Sequence, residues 1–146
     1  MTQPLSILLV DDDEDYWTLM KSIFERPAFR NRVELRWVKD GAEALRHLED
    51  GASEGARRPD LVLLDERMPT MDGTQLLERI TLNPRLRSLQ VCLMATTGES
   101  ALVELALGLG ARFCIEKPTA FDELDRMLTQ IVDFYGTVAL LPRPRS

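Results

Sequence analysis

At 146 residues the chain has the length of one domain, and with 45% apolar and 29% charged residues it has the composition of a globular protein rather than a disordered or collagen-like one. The 18 Lys and Arg against 24 Asp and Glu leave a net charge of −6. No basic cluster exceeds Arg57-Arg58, which argues against a protein held on nucleic acid by its phosphates.

The opening Met-Thr-Gln-Pro-Leu has neither a basic region nor a long apolar run, and no stretch approaches the ~18 apolar residues of a membrane span. A cytoplasmic chain with no membrane contact is expected. Leu5–Val10 is a short apolar run and predicts the first strand. Tyr16, Leu19, Met20, Ile23 and Phe24 then fall on one helical face. Val33–Val38 predicts a second strand, with Glu34 and Arg36 at alternate positions marking it as a sheet edge. A helix over Ala42–Glu49 and a surface loop over Asp50–Pro59 follow. The third strand is Leu61–Leu64, the third helix Thr74–Leu82, the fourth strand Val91–Met94 and the fourth helix Ser100–Leu109. Arg112–Ile115 predicts the fifth strand, and Phe121, Leu124, Leu128, Ile131 and Tyr135 the last helical face. Cys92 and Cys114, both inside apolar runs, read as reduced core thiols.

Strands alternating with helices imply βαβ units, hence a parallel sheet with helices on both faces. The first, third and fourth strands are apolar throughout, as strands covered on both faces must be. Residues 1–146 read as one domain, with a core of about 5–135 and a tail from 136 to 146.

Ligands of such sheets bind beyond the carboxyl ends of the strands. There the first strand runs into Asp11-Asp12-Asp13-Glu14-Asp15 and the third into Asp65-Glu66-Arg67. The fourth strand ends near Thr96-Thr97 and the fifth runs into Lys117-Pro118. Gathered carboxylates repel and are pushed toward protonation, and a divalent cation relieves this. Mg²⁺ takes carboxylate, water and phosphate oxygens, and Asp11 and Asp12 facing Asp65 supply the carboxylates. Asp13, Glu14 and Asp15 read instead as caps of the first helix. Asp65 as nucleophile, Lys117 as charge partner and a hydroxyl at Thr96 suit phosphoryl chemistry. The Lys117-Pro118 bond could be cis.

The series Ile7–Asp12, Pro59–Pro69 with Met71-Asp72-Gly73, Thr96, Gly110-Ala111 and Lys117-Pro118 resembles the receiver domain of two-component response regulators. The resemblance covers about residues 5–135. It implies a flavodoxin-like (βα)5 fold with strand order 2-1-3-4-5, and phosphate accepted at Asp65 from a sensor histidine kinase. It also implies Mg²⁺ held directly by Asp12 and Asp65, through water by Asp11, and by the backbone carbonyl of Arg67. Catalysis would stop at self-phosphorylation and hydrolysis, so no enzyme with an external substrate is expected. Counting back from Lys117 without a gap puts Ala95 at the family's hydroxyl position. A one-residue deletion after Thr97 restores Thr96, which is preferred because alanine offers no donor. Cys114 stands where many receivers carry an aromatic, and Phe113 faces the other side of the strand.

The long loop before the third strand, Asn31-Arg32, Thr96-Thr97 and the ending Phe134–Pro142 look like the single-domain regulators paired with bacterial phytochromes. Output then runs through the surface. Leu102, Leu105, Ala106 and Leu109 form a core stripe on the fourth helix, while Val103 and Leu107 add a second apolar stripe. With Val138–Leu141 they predict a homodimer through the fourth and fifth helices and the tail. His47, Trp17 and Trp37 read as a solvated histidine and two packing residues. Three rivals share features. An aspartate-nucleophile phosphatase of the haloacid dehalogenase type needs an acid where Arg67 stands. A nucleotide or flavin module needs a Gly-rich loop where five acids stand. A pseudo-receiver would dimerise without phosphate.

Overall fold

The computed structural model describes residues 3–54, 58–96 and 99–137, with the side chains of 52–54 and 137 set aside. Five strands, β1 (Leu5–Val10), β2 (Val33–Val38), β3 (Leu61–Asp65), β4 (Val91–Ala95) and β5 (Phe113–Glu116), alternate with five helices. The helices are α1 (Glu14–Phe24), α2 (Gly41–Glu54), α3 (Gly73–Leu82), α4 (Ser100–Gly108) and α5 (Phe121–Thr137). All four strand pairings are parallel and the order is β2-β1-β3-β4-β5. This is the flavodoxin-like doubly wound sheet that the resemblance to receiver domains implies, with β2 at the edge where its alternating charges place it.

Side-chain alternation divides the sheet into two dry faces. Leu8, Val10, Val62, Leu64 and Leu93 pack on α2, α3 and α4 through Ala44, Leu48, Leu76, Leu77, Ile80 and Ala106. Ile7, Leu9, Leu61, Leu63, Cys92 and Met94 pack on α1 and α5 through Met20, Ile23, Leu124, Leu128 and Ile131. Every residue of β1, β3 and β4 is buried. Two caps set the helices that follow the functional strands. Asp13 accepts from the backbone N–H groups of Asp15 and Tyr16 at the start of α1, and Asp72 forms a capping box with Gln75 at the start of α3.

The structure corrects two sequence expectations, the loop after the second helix and the place of Leu105, and adds two points the sequence left open. α2 continues through Glu54, so the first part of the expected Asp50–Pro59 loop is helical. A short 3-10 turn at Pro27–Phe29, not anticipated, brings Phe29 edge-on to Phe24 at 5.2 Å and into the core. Leu105 does not join the α4 core stripe: it is 51% exposed, and Leu102, Ala106 and Leu109 carry the packing. No peptide bond among the described residues is cis, so Lys117-Pro118 is trans. Thr97 and the expected dimerising tail from residue 138 onward lie outside the described residues.

Candidate functional site

Registry places the chemistry. Val10 pairs with Leu64 and Asp65 with Met94, so the carboxyl ends of β1, β3 and β4 finish side by side. Two residues on from Leu9, Leu63 and Ile115, which face α1 and α5, stand Asp11, Asp65 and Lys117. The period-2 alternation of strands therefore sends all three to one side. Thr96, two residues on from Met94, shares that parity and is exposed; Ala95 is buried at the opposite parity. The strand alternation thus favours Thr96 over Ala95 as the residue on the Asp65 side.

The three acidic groups come together. Asp11, Asp12 and Asp65 each offer an oxygen, all within 4.8 Å of one another. Asp11 and Asp65 are buried and Asp12 is exposed. Lys117 Nζ lies 2.7 Å from Asp11 Oδ2 and 3.6 Å from Asp65 Oδ1. Asp11 is fixed further: its Oδ1 accepts the Asp13 N–H at 2.9 Å, and its backbone carbonyl accepts the Trp37 indole N–H at 2.8 Å. Trp37 in turn stacks on Trp17 with centroids 5.4 Å apart.

One ammonium does not neutralise three carboxylates, and the acid–base behaviour shows the excess. Burial, then the neighbouring Asp11 charge, raises the Asp65 carboxyl from 3.8 to about 6 against the opposing pull of Lys117. Burial likewise raises Asp11 despite its contact with Lys117. Burial works to lower Lys117, but the hydrogen bond and charge of Asp11, with the charge of Asp65, outweigh it and hold the ammonium above its ordinary value. The pocket is a carboxylate site short of positive charge. An all-oxygen donor set, with two buried carboxylates and one exposed toward water, fits a hard divalent cation.

Other expected residues stand as follows. The Arg67 side chain is 77% exposed with its guanidinium 3.7 Å from Glu66 Oε1, and it stands two residues after Asp65, beyond the end of β3. Gly73 permits the close return of the loop after β3. Its N–H donates to the Glu66 carbonyl at 2.8 Å, and a Cβ there would collide with the Asp65 carbonyl. His47 is exposed, and Cys92 and Cys114 are free thiols. Two residues were read only as packing groups. Tyr16 donates its hydroxyl to the Pro118 carbonyl at 2.9 Å, and its ring centroid lies 4.3 Å from Lys117 Nζ. Trp37 holds the Asp11 carbonyl. Helical period and strand pattern report that such residues are buried and are silent about polar partners so distant in the chain.

Residues 7–129 match the response regulator receiver domain model. The probable methanogenesis regulatory protein FilR2 of Methanothrix harundinacea is 33% identical over 132 residues, covering 90% of this chain and 84% of that protein. Response regulator Rcp1 of Synechocystis is 29% identical over 140 residues, covering 95% and 94%. Among solved structures, the phosphorylated cyanobacterial phytochrome response regulator RcpA superposes with a TM-score of 0.82 at 27% identity, covering 96% of this chain and 99% of that one. The Mn²⁺-bound form of Rcp1 gives 0.79 at 28% identity, covering 96% and 100%. A response regulator in red light signaling of R. palustris gives 0.80 at 26% identity, with the same coverage. The chain belongs to the response regulator receiver domain family, the signalling modules that partner sensor histidine kinases in two-component systems. Within that family it is close to the single-domain phytochrome regulators Rcp1 and RcpA.

Proposed function

We propose that the chain is a phosphoacceptor response regulator in which Asp65 takes a phosphoryl group from a phosphohistidine of a sensor kinase. The observation that carries this reading is the gathering of Asp11, Asp12 and Asp65 within 4.8 Å, with Lys117 3.6 Å from Asp65. Asp12 and Asp65 would hold Mg²⁺ directly, Asp11 through water, with the Arg67 carbonyl as a further ligand. When bound, the metal supplies positive charge to the phosphoryl oxygens. Asp65, as the carboxylate, attacks phosphorus as the P–N bond breaks and the imidazole leaves. Lys117 neutralises charge on the transferred oxygens, and Thr96 donates its hydroxyl to one of them. Catalysis is confined to this self-phosphorylation and the later hydrolysis. Arg67, exposed beside Asp65, tunes the hydrolysis rate.

Residues 1–146 act as one receiver domain, and output runs through protein contacts. The likeness to Rcp1, RcpA and the R. palustris regulator supports a phytochrome-type kinase as partner. Leu105 and Leu107, exposed on α4, and Phe134, exposed on α5, support a homodimer through these two helices. No described helix is long and apolar enough to cross a membrane, and free thiols suit a reducing compartment; the cytoplasm is the proposed location. Incubation with Mg²⁺ and acetyl phosphate tests the central reading. The intact mass should rise by one phosphoryl group in the native chain and not in Asp65→Asn. No gain in the native chain would favour a pseudo-receiver.

A further inference from the structure

Tyr16 belongs to none of the strand-end motifs, yet it touches the site twice. Its ring is buried at 6% exposure and presents its face to the Lys117 ammonium, 4.3 Å from the centroid. Its hydroxyl donates to the carbonyl of Pro118, the residue after that lysine, at 2.9 Å. Burial raises the phenol well above its ordinary value, followed by the charges of Asp11 and Asp65. It therefore stays a donor throughout the working pH range.

A lysine has three donors on a flexible stem, and nothing in its own chemistry chooses one direction. Here two carboxylates lie 2.7 and 3.6 Å from the ammonium, and the aromatic face of Tyr16 meets the same ammonium. An aromatic face attracts a cation most strongly when water is excluded, and the Lys117 side chain is only 14% exposed. We infer that Tyr16 is a positioning residue: its ring holds the Lys117 ammonium toward Asp65, while its hydroxyl ties the start of α1 to the loop after β5. In phosphoryl transfer the ammonium must already be aimed when charge develops on the transferred oxygens, because reorientation at that moment adds to the barrier. The contribution to transfer rests on the phosphoacceptor reading; the hold on Lys117 does not.

The test uses two variants of the full chain and two readouts. The sequence has three lysines, Lys21, Lys39 and Lys117, so selective ¹³C-lysine labelling yields a small set of Cε–Hε resonances. Loss of a signal in Lys117→Met assigns Lys117, and Lys39 serves as reference. Ring current should move the Lys117 Hε resonance upfield in the native chain and in Tyr16→Phe, and the shift should vanish in Tyr16→Leu. With Mg²⁺ and saturating acetyl phosphate, Tyr16→Leu should be phosphorylated about 10-fold more slowly. Its Mg²⁺ affinity should be unchanged, and Tyr16→Phe should recover most of the rate.

A native Lys117 signal with no upfield shift overturns the inference. So does a Tyr16→Phe variant as slow as Tyr16→Leu, because the ring would then be irrelevant, and so does a Tyr16→Leu variant at the native rate. If Tyr16→Leu fails to fold, the native and Tyr16→Phe spectra and the Tyr16→Phe rate still decide. If the native chain takes no phosphoryl group, the phosphoacceptor reading falls, and the ring-current comparison alone shows whether Tyr16 holds the ammonium.

Discussion

Asp65 sits where its charge is least welcome. Burial and the Asp11 charge raise its carboxyl from 3.8 to about 6. Between those values the folded chain keeps a proton that the unfolded chain has released, so stability is fully present below the lower value and is lost as pH rises through the higher one. At neutral pH the cost is on the order of 3 kcal/mol. Removing the charge should remove the cost. In metal-free buffer at neutral pH, Asp65→Asn should melt above the native chain, and the gap should close as pH falls toward 4. Equal melting temperatures across that range would show that the carboxylate is not strained. Added Mg²⁺ should raise the native melting temperature, because it binds the folded state alone, and raise that of Asp65→Asn less. At this scale Asp11, Asp12, Asp65 and Lys117 were legible because each follows an apolar strand, where a charged residue must face the rim. Tyr16 was not: its hydroxyl partner lies 102 residues away.

The elements carry these residues to one place by counting in twos. Asp11, Asp65 and Lys117 share the parity of Leu9, Leu63 and Ile115, which face α1 and α5. Apolar runs alternating with helical patterns are visible in sequence, so the strands and the parallel sheet followed from them, while the order 2-1-3-4-5 came from the resemblance to receiver domains. The helix ends were less legible. Gly51 and Ser53 look like loop formers, yet α2 runs through both to Glu54, because the helix beneath is already anchored by Ala44, Leu45 and Leu48 in the core. Leu105 belongs to an almost wholly apolar α4, where composition gives no single face, and only the packing of Ala106 shows which side is in. Gly73 is the element-scale constraint on the site. A Cβ there would meet the Asp65 carbonyl and lie 2.9 Å from Glu66 Cα, and backbone cannot yield cheaply. Gly73→Ala should cost about 1–3 kcal/mol in denaturant unfolding and weaken Mg²⁺ binding as the Asp65 loop shifts. An unchanged midpoint would show that the loop has room.

The whole molecule leaves several large apolar side chains exposed on its helices. The acidic rim lies at the carboxyl ends of the strands, while Leu105 at 51%, Leu107 at 48% and Phe134 at 49% exposure lie on α4 and α5. A charge on α4 should separate a dimer without touching the rim. Light scattering at tens of micromolar should give a dimer for the native chain and a monomer for Leu105→Glu, with phosphoryl uptake retained. A native monomer, with or without phosphate, would dispose of the homodimer. The most direct test of the central claim is the location of the phosphoryl group. After incubation with Mg²⁺ and acetyl phosphate, borohydride reduction and peptide mass mapping should mark Asp65 alone. A mark on Asp11, on Asp12 or on no carboxylate would contradict it.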